Sequence, residues 1–138
     1  CLLRADHPIR GRRLTLEQFL SLGHAVVRAE GRSQEVFEKY LERKKIPRRI
    51  VLLTPHFMSL PPIIGKTDLV VTLPHAIGLF FSQTGANIKV MEPPLPIPRI
   101  ELRQHWHRNA HHDPKNKWLR RLVAGLFTDA SDEWPYPF

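Results

Sequence analysis

Short apolar runs that alternate with helical stretches constrain the fold of this chain more than any other feature. The runs occupy residues 24–28, 49–54, 69–73 and 88–91, and the helical stretches between them occupy residues 33–41, 59–66 and 76–83. Each run has the length of a β-strand, and each stretch carries apolar residues at helical spacing. This alternation predicts right-handed crossovers and a mainly parallel sheet with helices on its faces. The predicted fold class is therefore α/β.

Two local patterns refine this prediction. Thr15 and Gln18 fit a capping box for a short helix over residues 15–22, which Gly23 is expected to close. The run at residues 49–54 is continuous and apolar, so it is expected to be a strand covered on both faces.

The chain after residue 91 departs from the alternation. Residues 92–98 contain too many prolines for a central strand or a helix, so they are expected to form an extended crossing segment. Residues 99–108 alternate apolar and polar side chains, which predicts a half-exposed strand. Asp113 and Pro114 begin a last predicted helix, whose apolar stripe consists of Trp118, Leu119, Leu122, Val123, Leu126 and Phe127.

Length, charge and cysteine content limit the class of protein. A chain of 138 residues is long enough for one domain with its own core. The net charge of +8 permits an anionic partner, but the sequence contains no helix-turn-helix, finger or zipper pattern for reading DNA. The single cysteine, Cys1, excludes an intrachain disulfide and fits a reducing compartment. Because no apolar run approaches the about 20 residues of a membrane span, the chain is expected to be cytoplasmic and to bind no membrane.

Catalytic and metal sites are not indicated by the sequence. His105 and His107 would share one face of a strand, as a zinc pair does, yet no nearby cysteine completes a ligand set. There is no Gly-x-Ser-x-Gly elbow, and Asp68 lacks a second carboxylate close by for acid–base chemistry. We therefore expect no catalytic residues, no metal and no other cofactor.

A ligand pocket is the remaining possibility. Ligands of parallel α/β sheets bind beyond the carboxyl ends of the strands, where Pro55, His56 and Phe57 follow one predicted strand. An imidazole can bond a carboxylate or hydroxyl while a phenyl ring supplies stacking area. His56 and Phe57, with His24 as a further candidate, are therefore predicted to bind a small, aromatic or carboxylate ligand.

Seven motifs follow one another in a fixed order between His7 and about Phe127. The motifs are His7-Pro8, Leu16-Glu17-Gln18-Phe19, Arg48-Arg49 leading into Pro55-His56-Phe57, Thr67-Asp68-Leu69-Val70-Val71-Thr72-Leu73-Pro74, Pro94-Leu95-Pro96, Trp106-His107 and Asp113-Pro114 followed by Trp118-Leu119-Arg120. Together they resemble the C-terminal part of LysR-type transcriptional regulators, most closely the branch that responds to aromatic compounds.

This resemblance implies a fold and a division of the chain. The family's effector domain is similar to type 2 periplasmic binding proteins, with two α/β subdomains and a cleft between them. Residues 1–13 would be the first hinge crossing, residues 14–93 a complete second subdomain, and residues 94–138 the second crossing with the returning strand and helix of a partly present first subdomain. The family's N-terminal helix-turn-helix would lie outside this chain.

The resemblance also implies site residues and partners. A small inducer would bind in the cleft, and DNA would be contacted only through the absent helix-turn-helix of a homo-oligomer. The implied effector-binding residues are His24, Pro55, His56 and Phe57, and the implied hinge residues are Pro8, Pro94, Pro96 and Pro98.

Two other classes of protein remain open. A solute-binding protein of a transport system would share the cleft architecture, although the sequence lacks an export signal. A metal-dependent hydrolase would use the histidines near residue 105, and stoichiometric zinc in the purified protein would support it.

Overall fold

The computed structural model describes residues 1–28, 32–97 and 103–128, which fall into two compact units. The first unit ends at Ile100 and the second begins at Glu101. The helices and strands of the first unit are β1 (Leu2–Arg4), α1 (Leu16–Ser21), β2 (Gly23–Val27), α2 (Arg32–Arg43), β3 (Arg49–Thr54), a 3-10 turn (Phe57–Ser59), α3 (Leu60–Ile64), β4 (Val70–Val71), α4 (His75–Gln83) and β5 (Ile88–Val90). The predicted alternation of strands and helices from β2 to β5 is confirmed.

The five strands form one mixed sheet in the order β3-β2-β4-β1-β5. β2 pairs in parallel with β3 and β4, whereas β1 runs antiparallel to both of its neighbours, β4 and β5. The sheet is therefore less parallel than the sequence predicts, because β1 enters it from the opposite direction. β1 also lies within residues 1–13, so part of the expected crossing segment is a strand inside the sheet.

β3 is an edge strand, which corrects the prediction that it would be covered on both faces. Its side chains Ile50, Val51 and Leu53 are exposed, and only β2 pairs with it among the described strands. A continuous apolar run is typical of a buried strand. The run does not reveal the strand order, however, and here the order leaves one side of β3 without a neighbour.

The core has two parts, one on each face of the sheet. Because neighbouring strand residues point to opposite faces, Leu2 and Val71 belong to one part and Leu3 and Val70 to the other. Helices α3 and α4 supply the first part with Leu60, Ile64 and Phe81; helices α1 and α2 supply the second with Phe19, Phe37, Tyr40 and Leu41. The first unit is therefore a three-layer α/β lobe.

The start of β2 depends on a capping box and a glycine. The N–H of Gln18 donates to Oγ1 of Thr15 over 3.1 Å and the N–H of Thr15 donates to Oε1 of Gln18 over 2.9 Å, so the predicted box is present. Gly23 begins β2 instead of closing α1 with a glycine cap. A Cβ at Gly23 would lie 2.8 Å from Cγ2 of Val51 and 2.9 Å from Cδ2 of Leu69, so the close approach of these side chains requires glycine.

The two predicted crossing segments lie side by side within the first unit. Arg13 and Glu92 form a parallel bridge, and the N–H of Leu14 donates to the carbonyl of Glu92 over 2.9 Å. The N–H of Glu92 in turn donates to the carbonyl of Arg12 over 2.7 Å. Backbone hydrogen bonds therefore couple the chain segments on either side of the lobe.

The second unit consists of a 3-10 turn (Arg108–Ala110) and helix α5 (Pro114–Thr128). The start of α5 is as predicted, because the Asp113 carboxylate accepts the N–H groups of Lys115 and Asn116 over 3.2 and 3.4 Å. The predicted strand over residues 99–108 is wrong in its described part, since residues 103–107 are irregular. A strand needs a partner for its backbone groups, and residues 103–128 include no other strand.

A cation–aromatic stack holds the second unit together. The Arg120 guanidinium lies 4.4 Å from the centre of the Trp106 ring and donates to the carbonyls of Ala110 and His111 over 3.3 and 2.9 Å. The apolar side chains of Trp118, Leu119, Leu122 and Leu126 on α5 are exposed.

No helix in the described part of the chain is long and apolar enough to span a membrane.

Candidate functional site

The carboxyl ends of the three parallel strands meet at one side of the sheet, here called the carboxyl edge. It comprises Arg28 after β2, residues 54–57 at the end of β3 and residues 72–75 after β4. β1 begins at the same edge, because Sγ of Cys1 lies 3.4 Å from Oγ1 of Thr72. In α/β proteins this is the edge at which ligands bind.

His56 and Phe57 stand together at this edge, as the sequence predicts. His56 and Pro55 are exposed, whereas Phe57 is half-buried and packs against the core on the α3 and α4 face. Phe57 therefore forms a fixed apolar surface beside an accessible imidazole. Such a pair can hold an aromatic ring against Phe57 while His56 bonds an oxygen of the ligand.

Two hydroxyl groups that the sequence interpretation overlooked anchor the turn at His56. Thr54 is the last residue of β3 and Ser59 ends the 3-10 turn, and their hydroxyl oxygens lie 2.8 Å apart. Both hydroxyls also reach the backbone of His56. The available signal was the position of Thr54, because a polar residue that ends an apolar run marks the point where the strand reaches the edge.

His24 lies elsewhere in the lobe. It is the second residue of β2 and is completely buried, and its Nε2 atom lies 2.7 Å from the carbonyl oxygen of Phe19. Burial lowers the pKa of His24 from 6.5 to about 4, so the imidazole is neutral near pH 7. His24 lies three positions before the end of β2 at Val27, or roughly 10 Å along the strand. The fold thus does not bring His24 together with His56.

The proline residues named as hinges are partly described. Pro8 and Pro96 are exposed, Pro94 is half-buried, and Pro98 lies outside the described residues. Pro94 follows the bridged pair Arg13 and Glu92, where the two crossing segments meet. Their role as hinges stays a prediction.

A polar groove of about 350 Å³ lies at the opposite edge of the sheet. Arg4 in this groove donates to Asp68 over 2.8 Å and pairs with Asp6 at 2.7 Å. The guanidinium is thereby neutralised by groups of the protein itself. This groove lies at the far end of the strands from His56, and it is lined by Arg4, Asp6, Gly65, Lys66, Thr67, Asp68 and Asn87.

The histidines near residue 105 engage in local contacts within the second unit. Nδ1 of His107 accepts the N–H of Asn109 over 3.2 Å, and Nδ1 of His111 accepts the indole N–H of Trp106 over 3.2 Å. A structural zinc site takes about four ligands. Among the described residues, no group of three or more His, Cys, Asp or Glu side chains is placed to hold a metal ion.

Comparison with curated proteins finds transcription regulators, although no protein-family model matches the chain. The HTH-type transcriptional activator NahR of Pseudomonas putida is 37% identical over 129 residues, which is 94% of this chain and 43% of NahR. The activator NagR of a Ralstonia species is 34% identical over 130 residues, again 94% of this chain and 43% of the relative. The chain thus spans less than half the length of these curated relatives.

Solved structures agree with the fold. The regulatory domain of MexT, a transcriptional activator in Pseudomonas aeruginosa, superposes with a TM-score of 0.65 at 26% identity, over 90% of this chain and 61% of that domain. A transcriptional regulator from Vibrio parahaemolyticus has a TM-score of 0.68 at 23% identity, over 91% and 58% of the two chains, and supports the fold alone. These findings do not support the alternative that the chain is a solute-binding protein of a transport system. Over 94% of its length the chain is homologous to LysR-type transcriptional regulators, and it has the periplasmic-binding-protein-like fold of their regulatory domains.

Proposed function

We propose that this chain is the effector-sensing regulatory domain of a DNA-binding transcription factor. It binds a small aromatic or carboxylate inducer at the carboxyl edge of the sheet and has no enzymatic activity. The observation that carries this proposal is the accessible imidazole of His56 beside the fixed ring of Phe57, at the ends of parallel strands in a chain related to regulatory domains.

The proposal assigns a role to each part of the chain. Residues 14–93, together with β1, form one wall of an inducer-binding cleft, and Pro55, His56 and Phe57 contact the inducer. His24 supports the start of β2 from the interior instead of contacting the inducer, because its side chain is completely buried. DNA is bound by a helix-turn-helix outside this chain, and the regulator acts as a homo-oligomer in the cytoplasm.

Inducer binding must favour one cleft geometry over another to have a regulatory effect, because equal affinity for both geometries shifts no equilibrium. The crossing segments that meet at Arg13 and Glu92 are the proposed flexing point, with Pro8, Pro94, Pro96 and Pro98 restricting the motion. The backbone hydrogen bonds that join Glu92 to Arg12 and Leu14 support a hinge in which the two crossing segments move together.

A thermal-shift titration with benzoate, the simplest aromatic carboxylate, tests the proposal. Benzoate is expected to raise the melting temperature of the chain, because a ligand that binds only the folded state stabilises it by about 2.7 kcal/mol at 100 times its Kd. His56→Ala should remove most of this shift. His105→Ala, which removes an exposed histidine of the second unit, should preserve it. An unchanged shift in His56→Ala would exclude the proposed role of His56.

A further inference from the structure

The turn that carries His56 is closed by a ring of hydrogen bonds among Thr54, His56 and Ser59. The two hydroxyl oxygens of Thr54 and Ser59 lie 2.8 Å apart. Oγ of Ser59 lies 2.7 Å from the carbonyl oxygen of His56, and the N–H of His56 points to Oγ1 of Thr54 over 3.3 Å. The hydroxyl groups of Thr54 and Ser59 and the backbone of His56 therefore contact one another in a closed cycle.

The carbonyl of His56 can only accept. The Ser59 hydroxyl lies 2.7 Å from this oxygen and the Thr54 hydroxyl lies 3.4 Å from it, so the shorter bond is assigned to Ser59. Oγ of Ser59 is then free to accept, and the Thr54 hydroxyl donates to it. Oγ1 of Thr54 accepts the N–H of His56, which completes the ring. Every hydroxyl donates once and accepts once, and bonds in such a chain strengthen one another.

The ring is fixed to the sheet through Thr54. This residue is 8% exposed and pairs with Val27 at the end of β2. Its carbonyl also accepts the N–H of Arg28 over 2.9 Å. The position of the turn is thereby tied to the two parallel strands beside it.

The ring restrains the backbone of His56 and leaves its side chain available. Both backbone polar groups of His56 are used, whereas its exposed imidazole has no hydrogen-bond partner within the described residues. A group held in its binding orientation loses less conformational entropy when a ligand binds. The arrangement has the form of a recognition group supported by a second layer of hydrogen bonds.

We propose that Thr54 and Ser59 are positioning residues that present the imidazole of His56 to the carboxylate or hydroxyl of an inducer. This inference rests on the proposed function of His56 and adds two residues that act through it. Neither hydroxyl needs to touch the ligand, since the ring uses the hydrogen of each. Loss of either hydroxyl should weaken binding because the His56 turn then samples more orientations.

Benzoate titration of the full chain tests the effect on binding. Thr54→Val keeps the shape of the side chain but removes the hydroxyl, and we expect it to weaken benzoate binding about fivefold, the equilibrium effect of one typical hydrogen bond. Ser59→Ala should act similarly, whereas Thr54→Ser should bind like the native chain. Thr84→Val is the matched control, because among the described residues the Thr84 hydroxyl bonds the Phe81 carbonyl at the far end of α4 and not the His56 turn. Equal binding by the native, Thr54→Val and Ser59→Ala chains would overturn the inference.

A double-mutant cycle tests whether Thr54 acts through His56. In a His56→Ala background, Thr54→Val should have no further effect on benzoate binding, because there is no imidazole left to orient. A second, independent fivefold loss would show that Thr54 acts on the ligand or the fold by another route, and would contradict the positioning role.

Hydrogen exchange of the His56 amide separates this inference from the proposed function. In the native chain the amide should be protected, and exchange should accelerate about fivefold in Thr54→Val and recover in Thr54→Ser. Absence of any benzoate response in the native chain would contradict the proposed function and the ligand part of this inference. Unchanged exchange in Thr54→Val would contradict the ring itself, whatever the benzoate result.

Discussion

Nε2 of His24 lies 2.7 Å from the carbonyl oxygen of Phe19, and the two rings meet edge to face with centroids 4.6 Å apart. Because a carbonyl only accepts, Nε2 carries the proton of the neutral imidazole. Nδ1 is buried and has no hydrogen-bond partner among the described residues. A second proton on His24 would therefore enter an apolar site without an acceptor, which is why burial lowers the pKa to about 4.

The stability of the chain should therefore fall in mild acid. In the unfolded chain His24 takes up a proton near pH 6.5, whereas in the folded chain it does so only near pH 4. Between these values the unfolded state binds more protons, so the free energy of unfolding decreases as the pH falls from about 6.5 to about 4 and then levels. The total loss from His24 is on the order of 3 kcal/mol, measurable by urea denaturation across this range.

His24→Gln provides the comparison. Its amide can still donate to Phe19 but does not titrate, so this variant should lose most of the pH dependence. Burial also lowers the pKa of His7, which leaves a slope of the same sign. His75→Gln, the same substitution at an exposed histidine, is the control for the chemical change. If His24→Gln kept the full native slope, His24 would not be its source.

Gly23→Ala should destabilise the lobe by about 1 kcal/mol, the low end of the usual cost of overpacking, because Gly23 is buried whereas Val51 is exposed and can move. The added methyl group would lie 2.8 and 2.9 Å from side-chain atoms of Val51 and Leu69, so both must move. Urea denaturation measures the change. Gly78→Ala is the control, because its methyl would meet Cδ2 of Leu2 at an ordinary 3.8 Å and alanine favours a helix. Equal free energies of unfolding for the two variants would mean that Val51 and Leu69 move aside at no cost, and would contradict the prediction.

Thr15→Ala should lower the free energy of unfolding by about 1 kcal/mol, because it leaves the N–H of Gln18 without its capping oxygen. Thr15→Ser retains the hydroxyl and should remain within a few tenths of a kcal/mol of the native chain. Chemical denaturation of the three chains gives the comparison. A loss in Thr15→Ser as large as that in Thr15→Ala would point to the threonine methyl group instead of the cap.

The exposed apolar stripe of α5 predicts self-association of this chain. Trp118, Leu119, Leu122 and Leu126 together form an apolar surface of the kind that marks contact sites. Sedimentation velocity should reveal oligomers that increase with protein concentration. The double variant Leu122→Gln and Leu126→Gln should shift the chain toward monomer, whereas Met58→Gln, at a single exposed apolar residue, should not. A native chain that stays monomeric at all concentrations would contradict this prediction.

Local patterns predicted most of the lobe because they depend on neighbours in the sequence. The capping box of Thr15 and Gln18 and the proline start of α3 were identified correctly, since each satisfies or avoids backbone groups within one helical turn. The order of motifs along the chain also predicted its similarity to LysR-type regulators. The regular alternation of strands and helices required the α/β class.

The position of the His56 turn in the fold was predicted, whereas the contacts that support it were not. Pro55, His56 and Phe57 were placed correctly at the end of a strand, because a chain leaves a parallel sheet at its carboxyl edge. The sequence did not indicate that Thr54 and Ser59 would support His56, since two hydroxyls five residues apart meet only when the turn has its particular geometry. His24 was grouped with His56 because strand direction and burial were unknown.

The sequence alone determined most helices and strands of the lobe and the capping box of α1, because these follow from residue types within a few positions of one another. The tertiary structure decided which strands are neighbours. That order made β3 an edge strand and placed β1 between β4 and β5, antiparallel to both. It also decided that His24 is buried beneath α1 while His56 is accessible. Burial depends on the packing of segments distant in sequence, so it becomes defined only when the sheet and its helices assemble.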